Sequence, residues 1–181
     1  VPPQQVFDAV SKGNFPIGGE WPNYWAGKNT VFDLFGSYPM GLCQYDYVNW
    51  YYHYGGRALY NEMYGKFNMV YFMTAVTPME SGIRTNVPIK SLADYKGKKL
   101  RMSGKAQGYM LQKLGASQVM LAGADIYQAL QLKTIDGAEF NSDSCDWGMG
   151  FGEVTKYNIG PGWHQPASLL GAMINKEAWD K

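Results

Sequence analysis

The sequence predicts an α/β fold with a parallel sheet, and three observations support this prediction. Between residues 90 and 140, helix signals alternate with three short strand signals, which is the order of a βαβαβ unit. Glycines follow several of the helical segments, where they commonly end a helix. Residues 67–76 form an almost unbroken apolar run of strand length, which is typical of a strand covered on both faces, as in a parallel sheet.

Composition excludes several classes of function. The chain has 181 residues, a net charge of +1 and only 17% charged residues, which argues against a nucleic-acid surface or a polybasic membrane anchor. Aromatic residues make up 15% of the chain, so many of them must fill a core or line a cleft. No apolar run approaches the roughly 18 residues that a membrane helix needs. The chain begins at Val1 within a helix signal and stops as another begins, so we expect it to be truncated at both ends, with no signal peptide visible.

The first half is expected to combine helices with two strands. Val6, Phe7 and Val10 lie at helical spacing and Gly13 follows them, so a helix should end there. We predict a strand, a loop and a short helix within 15–38, whose aromatic residues suit either a cleft wall or buried anchors. The remaining predictions for this half are helices over 41–54 and 57–66 and the strand over 67–76.

The second half has clearer signals. Ser91 and Asp94 stand at capping-box spacing before a short helix, and Asp125 is predicted to cap a later one. Three strands are expected, over 98–102, 117–121 and 135–140, with helices between them and a further strand candidate over 169–174. Polarity rises and Pro and Gly appear after the apolar run, which marks the best candidate for a domain boundary. The predicted divisions are 1–82, 83–140 and 141–181.

The sequence lacks the residue patterns that most catalytic chemistries need. His53 and His164 stand in no motif with a serine or cysteine, and the chain has neither a nucleophile elbow nor a glycine-rich phosphate loop. The two cysteines, Cys43 and Cys145, are far apart in sequence and could be free thiols or a disulfide. With two cysteines and two histidines scattered in this way, a zinc site is not expected.

Two charged residues and an amide are the remaining candidates. Arg101 and Glu139 stand at the carboxyl ends of predicted strands, the edge where open α/β sheets bind ligands. The planar fork of Arg101 suits a carboxylate, although an ordinary surface cation is the alternative. A carboxylate such as Glu139 at the end of an apolar strand needs an arginine or a metal ion as its partner. With Gln165 and a backbone carbonyl, Glu139 would form an oxygen-only site suited to Ca²⁺ or Na⁺.

Three segments together resemble the solute-binding proteins of TRAP transporters. They are IKSLADYKGKKLRMSG, LQKLGASQVMLAGADIYQALQLKTIDGAEF and PGWHQPASLLGAMINKEAW, and they match in order and in spacing over nearly the whole chain. The resemblance is greatest to the branch that binds 2-oxo and 2-hydroxy acids such as pyruvate or lactate. It implies a periplasmic-binding-protein-like (Venus flytrap) fold of two α/β lobes around a cleft. Residues 1–82 would be part of lobe I, residues 83–140 lobe II, and residues 141–181 a cleft segment that crosses back between the lobes.

The resemblance also implies roles for particular residues. Arg101 would bind the substrate carboxylate, while Glu139 and the backbone of Phe140 would hold the cation that bridges to the ligand's second oxygen. Gln165 stands where some relatives have a cation-binding glutamate, and Glu80 stands where many have a glutamine near the ligand. The negative charge has therefore moved, which leaves the cation open as Ca²⁺ or Na⁺. Three further pocket aromatics are implied: Tyr24, Trp25 and Trp163.

The function predicted from the sequence is that of a periplasmic receptor and not an enzyme. It would bind a small monocarboxylate through Arg101 and a bridging cation and deliver it to TRAP membrane subunits, with no nucleic-acid partner and with a homodimer as one possible assembly. The alternatives are a receptor for another organic acid without a metal, an α/β enzyme acting on a carboxylate, or a structural domain. A nucleophile and base would be needed for the enzyme, and neither is visible.

Overall fold

The computed structural model describes residues 1–181, which form nine α-helices, eight strands and three short 3-10 helices. The helices are α1 Val6–Ser11, α2 Val31–Gly36, α3 Gln44–His53, α4 Gly56–Gly65, α5 Lys105–Lys113, α6 Gly123–Gln131, α7 Asp143–Gly148, α8 Phe151–Val154 and α9 Lys176–Trp179. The strands are β1 Ile17–Glu20, β2 Met69–Thr77, β3 Ile83–Thr85, β4 Lys99–Arg101, β5 Ser117–Val119, β6 Gly137–Ala138, β7 Tyr157–Ile159 and β8 Ser168–Asn175. No helix is both long and apolar enough to cross a membrane.

The chain divides into two compact units. Unit 1 consists of Val1–Ser37, Leu42–Thr77 and Ala167–Lys181, and unit 2 consists of Tyr38–Gly41 and Pro78–Pro166. The observed change of unit after Thr77 lies within a few residues of the boundary predicted at residue 82. The second boundary differs more, because unit 2 continues past residue 140 to Pro166 and includes β7, which hydrogen-bonds to its sheet.

Unit 1 is an antiparallel sheet packed against aromatic helices. Its strand order is β1-β8-β2, and β8 pairs antiparallel with both neighbours. The prediction that residues 67–76 belong to a parallel sheet is therefore wrong, since β2 pairs only with β8 and is antiparallel to it. An apolar run reports burial and not strand direction, and an antiparallel strand can be as apolar as a parallel one when its surroundings are aromatic. The tyrosines that supply those surroundings are Tyr47, Tyr51, Tyr60 and Tyr64, which are almost fully buried, as is Tyr71 of β2 itself.

Unit 2 confirms the predicted βαβαβ unit. Its strand order is β5-β4-β6-β3-β7, and β4 lies parallel to both β5 and β6. The helices α5 and α6 make the two crossovers, which places the carboxyl ends of β4, β5 and β6 at one edge. The sheet continues with β3, which pairs antiparallel with β6, and then with β7, which pairs antiparallel with β3.

The helix-end predictions had different outcomes. Ser91 and Asp94 form the expected capping box, although the segment that follows is a short 3-10 helix. Asp125 does not cap α6, because Ala122 occupies the N-cap position. Asp125 lies in the first turn, where its negative charge still interacts favourably with the helix dipole. Cys43 and Cys145 are both free thiols, which settles the choice that the sequence left open.

Candidate functional site

Arg101 ends β4, the middle strand of the three parallel ones, and its side chain is 1% exposed. Its Nη1 donates to the Glu139 carbonyl oxygen at 2.7 Å and lies 2.8 Å from Glu139 Oε1. Its Nε and Nη2 donate to the Leu121 carbonyl oxygen at 3.2 and 3.1 Å. These bonds engage four of the five guanidinium N–H groups, so one N–H on Nη2 is left for a further acceptor.

Glu139 follows β6 and is completely buried beside Arg101. Its Oε1 accepts hydrogen bonds from the Ser103 backbone N–H at 2.7 Å and from the Ser103 hydroxyl at 2.8 Å. Burial has the largest single influence and raises the pKa of this carboxyl, but the charge of Arg101, the charge interaction with His164 and the hydrogen bonds from Ser103 together outweigh it, so the pKa is lowered. Glu139 is therefore an anion in the interior. Its other oxygen, Oε2, is buried and has no hydrogen-bond partner.

A second buried carboxyl, Glu80, lies near the first. Its Oε2 is 2.9 Å from His164 Nε2, and both side chains are almost inaccessible to solvent. One donor atom from each of Glu80, Glu139 and His164 lies within 4.8 Å of the other two. Burial, and then the negative charge of Glu139, raise the pKa of Glu80 well above its usual range. Burial also lowers the pKa of His164, whose Nδ1 has no hydrogen-bond partner.

The turn that carries His164 and Gln165 is tied to both carboxyls. Gln165 donates from its side-chain Nε2 to the Ser103 hydroxyl at 3.3 Å. Its backbone carbonyl oxygen accepts a hydrogen bond from the Glu80 backbone N–H at 3.1 Å. Gln107, on α5, donates to the His164 carbonyl oxygen at 3.2 Å. The site is therefore assembled from two strand ends, one helix, one turn and the loop before β3 that carries Glu80, all within unit 2.

Gly162 allows this turn to approach Glu80, and replacing it should disrupt the site. A Cβ at Gly162 would lie 2.1 Å from the Glu80 carbonyl oxygen, a backbone atom that has no rotamer by which to move away. We expect Gly162→Ala to lower the free energy of unfolding by about 1–3 kcal/mol, as overpacking commonly does. The matched control is Gly148→Ala, where an added Cβ meets nothing within 4 Å. Urea unfolding of both variants checks this, and equal stability would contradict the proposed close approach.

The structure brings most of the predicted site residues together. Arg101, Glu139, Glu80 and Gln165 form one cluster, and the Phe140 ring centre lies 5.6 Å from the Arg101 guanidinium carbon. Arg101 differs from the expectation of a free fork, because protein acceptors already engage most of its N–H groups. Its binding of a ligand carboxylate stays a prediction, limited to the remaining N–H.

The three predicted pocket aromatics have different surroundings, and only Trp163 is in the same unit as the cluster, with its ring 5.7 Å from that of His164. Trp163 lines an apolar cavity of about 530 Å³ in unit 2, where Met40, Tyr95 and Leu114 are among its neighbours. Tyr24 and Trp25 belong to unit 1, and Trp25 is 2% exposed in the aromatic core of that unit. A direct role for these three residues in binding stays a prediction.

Sequence reasoning missed Ser103, Gln107 and His164. His164 was assigned no chemistry because it has no motif partner, and Glu80, its partner, is 84 residues away in the chain. A usable signal was its place directly before Gln165 in a turn already chosen as a site. Ser103 likewise follows Arg101 by two residues, so the strand that delivers the arginine also delivers this hydroxyl.

The residues present fit a small hard cation. A buried carboxylate oxygen without a partner, Glu139 Oε2, is costly to maintain unless something positive meets it. The oxygens nearby belong to carboxyl, amide and backbone groups, which are the ligands that Ca²⁺ and Na⁺ prefer. The cation could therefore be held by Glu139, Glu80, Gln165 and the Phe140 carbonyl.

Comparison with known proteins assigns the family. The family model DctP, described as bacterial extracellular solute-binding protein, family 7, matches residues 1–181. The chain belongs to this family.

Relatives of this DctP-family chain include proteins that bind small carboxylates. The monocarboxylate 2-oxoacid-binding periplasmic protein of Nostoc sp. (strain PCC 7120) is 33% identical over all 181 residues, which is 50% of that protein. A TRAP periplasmic solute-binding protein from Pseudoalteromonas atlantica, solved with sodium and pyruvate, is 34% identical with a TM-score of 0.92, covering 98% of this chain and 53% of that one. A similar protein from Colwellia psychrerythraea, solved with calcium and pyruvate, is 33% identical with a TM-score of 0.92, covering 97% and 53%.

These similarities confirm the predicted TRAP resemblance and the mixed α/β fold class. The family and its solved relatives are solute-binding proteins. The chain spans about half the length of the relatives that it matches.

Proposed function

We propose that this chain belongs to a TRAP-type solute receptor, and not to an enzyme, that binds a small 2-oxo or 2-hydroxy monocarboxylate with the help of a cation. The observation that carries the proposal is the buried Glu139 carboxylate, whose Oε2 has no partner although Arg101 and Ser103 surround its Oε1. An anion that is satisfied on one side only is suited to a positively charged ligand group or ion on the other.

The roles of the residues follow from their contacts. Arg101 would donate its remaining Nη2 N–H to the ligand carboxylate, while its other N–H groups keep the guanidinium fixed against β6 and Leu121. Phe140 covers one face of the guanidinium, which excludes water and strengthens its charge interactions. When bound, a cation would offer positive charge to both the Glu139 carboxylate and the second oxygen of the ligand. Trp163 would add apolar surface beside the ligand, since its ring lies 5.7 Å from that of His164.

Calorimetric titration with pyruvate and lactate tests this proposal. The protein is first treated with EDTA and transferred to sodium-free buffer, and then titrated with and without added Na⁺ or Ca²⁺. We expect each acid to bind at least about tenfold more tightly with a cation present, because a cation–carboxylate contact contributes more than the 1.4 kcal/mol that a tenfold change represents. Propanoate, which lacks the second oxygen, is the matched control ligand and should show little dependence on the cation.

Different outcomes would select different functions. An affinity for the acids that is high and unchanged by EDTA treatment and by removal of sodium would favour a receptor for an organic acid without a metal. Turnover of either acid would support an enzyme instead. Absence of binding of both acids under all ionic conditions would contradict the proposal itself.

The cellular role is proposed on the same basis. The family is extracellular by its description, so we propose a periplasmic location, with the ligand passed to TRAP membrane subunits. A homodimer stays a prediction, which sedimentation of the purified protein would check.

A further inference from the structure

We infer that Asp146 is a positioning residue that makes the site selective for acids with a second oxygen next to the carboxylate. It acts by holding the loop that carries Glu80 beside the turn that carries Phe140, and not by touching the ligand. The inference deepens the proposed function and rests on it, because it concerns the same ligand site.

The two segments need a connection of their own because the sheet stops short of them. The ladder between β3 and β6 ends with the pair of Arg84 and Ala138, and β3 begins at Ile83. Glu80 and Phe140 lie beyond these strand ends. Strand pairing therefore does not fix the position of one relative to the other.

Asp146, on α7, supplies this connection through the next residue of each segment. Ser81 follows Glu80 and Asn141 follows Phe140, and the Ser81 backbone N–H donates to the Asn141 carbonyl oxygen at 3.1 Å. Asp146 Oδ2 accepts the Ser81 hydroxyl at 2.8 Å, and its Oδ1 accepts the Asn141 backbone N–H at 3.1 Å. One carboxylate thus holds both sides of the junction.

A role as the counterion of Arg84 does not account for Asp146. Arg84 Nη2 bonds Asp143 at 2.7 Å, whereas Arg84 Nε lies 3.7 Å from Asp146 Oδ2 and has no hydrogen-bond partner. A separation of 3.7 Å is longer than a hydrogen bond. Asp146 is completely buried, and a carboxylate is costly to place there unless its hydrogen bonds contribute something. Those bonds go to the two segments of the site.

The segments that Asp146 holds concern one part of the ligand only. Arg101, the proposed partner of the ligand carboxylate, is fixed by the carbonyl oxygens of Leu121 and Glu139, and Asp146 bonds neither of these groups. Glu80 and the Phe140 carbonyl are instead among the groups proposed to hold the cation that meets the second oxygen of the ligand. Loss of the Asp146 bonds should therefore weaken recognition of that second oxygen and spare recognition of the carboxylate.

Calorimetric titration with pyruvate and propanoate, in buffer that contains both Na⁺ and Ca²⁺, tests this inference. We expect Asp146→Ala to lower the affinity for pyruvate by about 10–100-fold, the usual cost of losing an outer hydrogen-bond partner of a binding site. The affinity for propanoate, which lacks the second oxygen, should be nearly unchanged. In Asp146→Asn the amide oxygen can accept from Asn141 while the NH₂ group donates to the Ser81 hydroxyl, so this variant should keep most of the affinity for pyruvate.

Two further variants separate positioning from the support of Arg84. Asp143→Ala removes the closer partner of Arg84 without touching Ser81 or Asn141, and it should leave both affinities unchanged. Ser81→Ala removes one of the two bonds and should lower the affinity for pyruvate by at least about threefold. Combined with Asp146→Ala, it should cause no further loss, because both changes remove the same contact.

The thermal midpoint of each variant without ligand shows whether it folds, and Ser81→Ala replaces Asp146→Ala in the test if the latter does not. Three results would overturn the inference. They are an unchanged affinity for pyruvate in the folded variant, equal losses for pyruvate and propanoate, and a loss in Asp143→Ala as large as in Asp146→Ala. In each case the unaltered protein would still bind pyruvate, so the proposed function would stand. Failure of the unaltered protein to bind pyruvate with any ion would instead remove the proposed function.

Discussion

Replacing Arg101 by methionine is expected to destabilise the protein by about 3–5 kcal/mol, the usual consequence of removing one partner of a buried ion pair. The reason is that Glu139 is completely buried and its Oε1 lies 2.8 Å from Arg101 Nη1. Without the guanidinium, the charge of Glu139 would have no counterion in the interior. The Leu121 carbonyl oxygen would also lose the hydrogen bonds that Arg101 Nε and Nη2 donate to it. Ligand binding should be lost together with stability.

A double variant separates the structural effect from the functional one. In Arg101→Met with Glu139→Gln, neither side chain is charged, and we expect most of the lost stability to return, because neutral replacement of a whole buried pair is often tolerated. Pyruvate binding should not return, since both the cationic donor and the cation ligand are gone. Lys99→Met, an exposed position on the same strand, is the control.

Urea unfolding and calorimetry measure the two effects independently. A single Arg101→Met variant that unfolds at the same urea concentration as the unaltered protein would show that Glu139 does not depend on Arg101. A double variant that binds pyruvate normally would show that neither residue contacts the ligand or its cation. The first result concerns the fold of unit 2 and the second concerns the site.

The βαβαβ unit could be predicted because its cues are local. Apolar steps of four along 106–114, the glycines Gly97 and Gly115 that follow two of the helical segments, and the length of the crossovers all act over a few residues, and they leave one common topology. The predicted bounds of the strands were less accurate. The strand expected over 135–140 is only Gly137–Ala138, since the residues after it turn to form the site.

The direction of β2 could not be predicted, because it is set by a partner almost 100 residues later. The ladder joins Met69 to Asn175 and Thr77 to Ser168, so the pairing depends on where β8 returns in the fold. Hydrophobic periodicity reports which faces are covered and contains no information on that return. An unbroken apolar run next to many tyrosines is compatible with either direction.

The site was predicted only in part, because some of its contacts join residues that are far apart in the sequence. Arg101 and Glu139 end neighbouring parallel strands, so the rule for strand ends found them both. Glu80 was placed near the ligand only by family resemblance, and its contact with His164 crosses 84 residues of sequence. Nor did the sequence indicate that acceptors from the protein itself would engage most of the Arg101 N–H groups, which requires the loop containing Leu121 to be in place.

Replacing Glu20 by glutamine is expected to stabilise the protein at neutral and mildly alkaline pH. Glu20 ends β1 in unit 1, where its carboxyl accepts the Tyr64 hydroxyl at 2.8 Å and also bonds the Trp25 indole N–H. No salt bridge is formed by this carboxyl, and burial raises its pKa to about 8, despite these hydrogen bonds. The folded protein thus retains a proton that the unfolded chain releases near pH 4.5.

The sign of the pH dependence follows from that difference. Below pH 4.5 both states hold the proton, and Glu20 contributes nothing to the pH dependence of stability. Between pH 4.5 and about 8 only the folded state holds it, so the free energy of unfolding falls as pH rises. Above about pH 8 both states have released it, and the loss is complete. At about 1.4 kcal/mol per pKa unit, the full loss amounts to several kcal/mol.

Glutamine removes this dependence because it cannot ionise. Its amide oxygen can accept from Trp25 while its NH₂ group donates to the Tyr64 hydroxyl, which rotates to receive it. Urea unfolding at intervals from pH 4 to 9 should show nearly equal stability of the two proteins at the acidic end and a growing advantage for Glu20→Gln towards pH 8. The control is Glu62→Gln, an exposed carboxylate of the same unit, which should follow the unaltered protein at every pH. Parallel curves for all three proteins would show that Glu20 ionises as readily in the folded state as in the unfolded chain, and hence that water reaches its carboxyl between the aromatic rings.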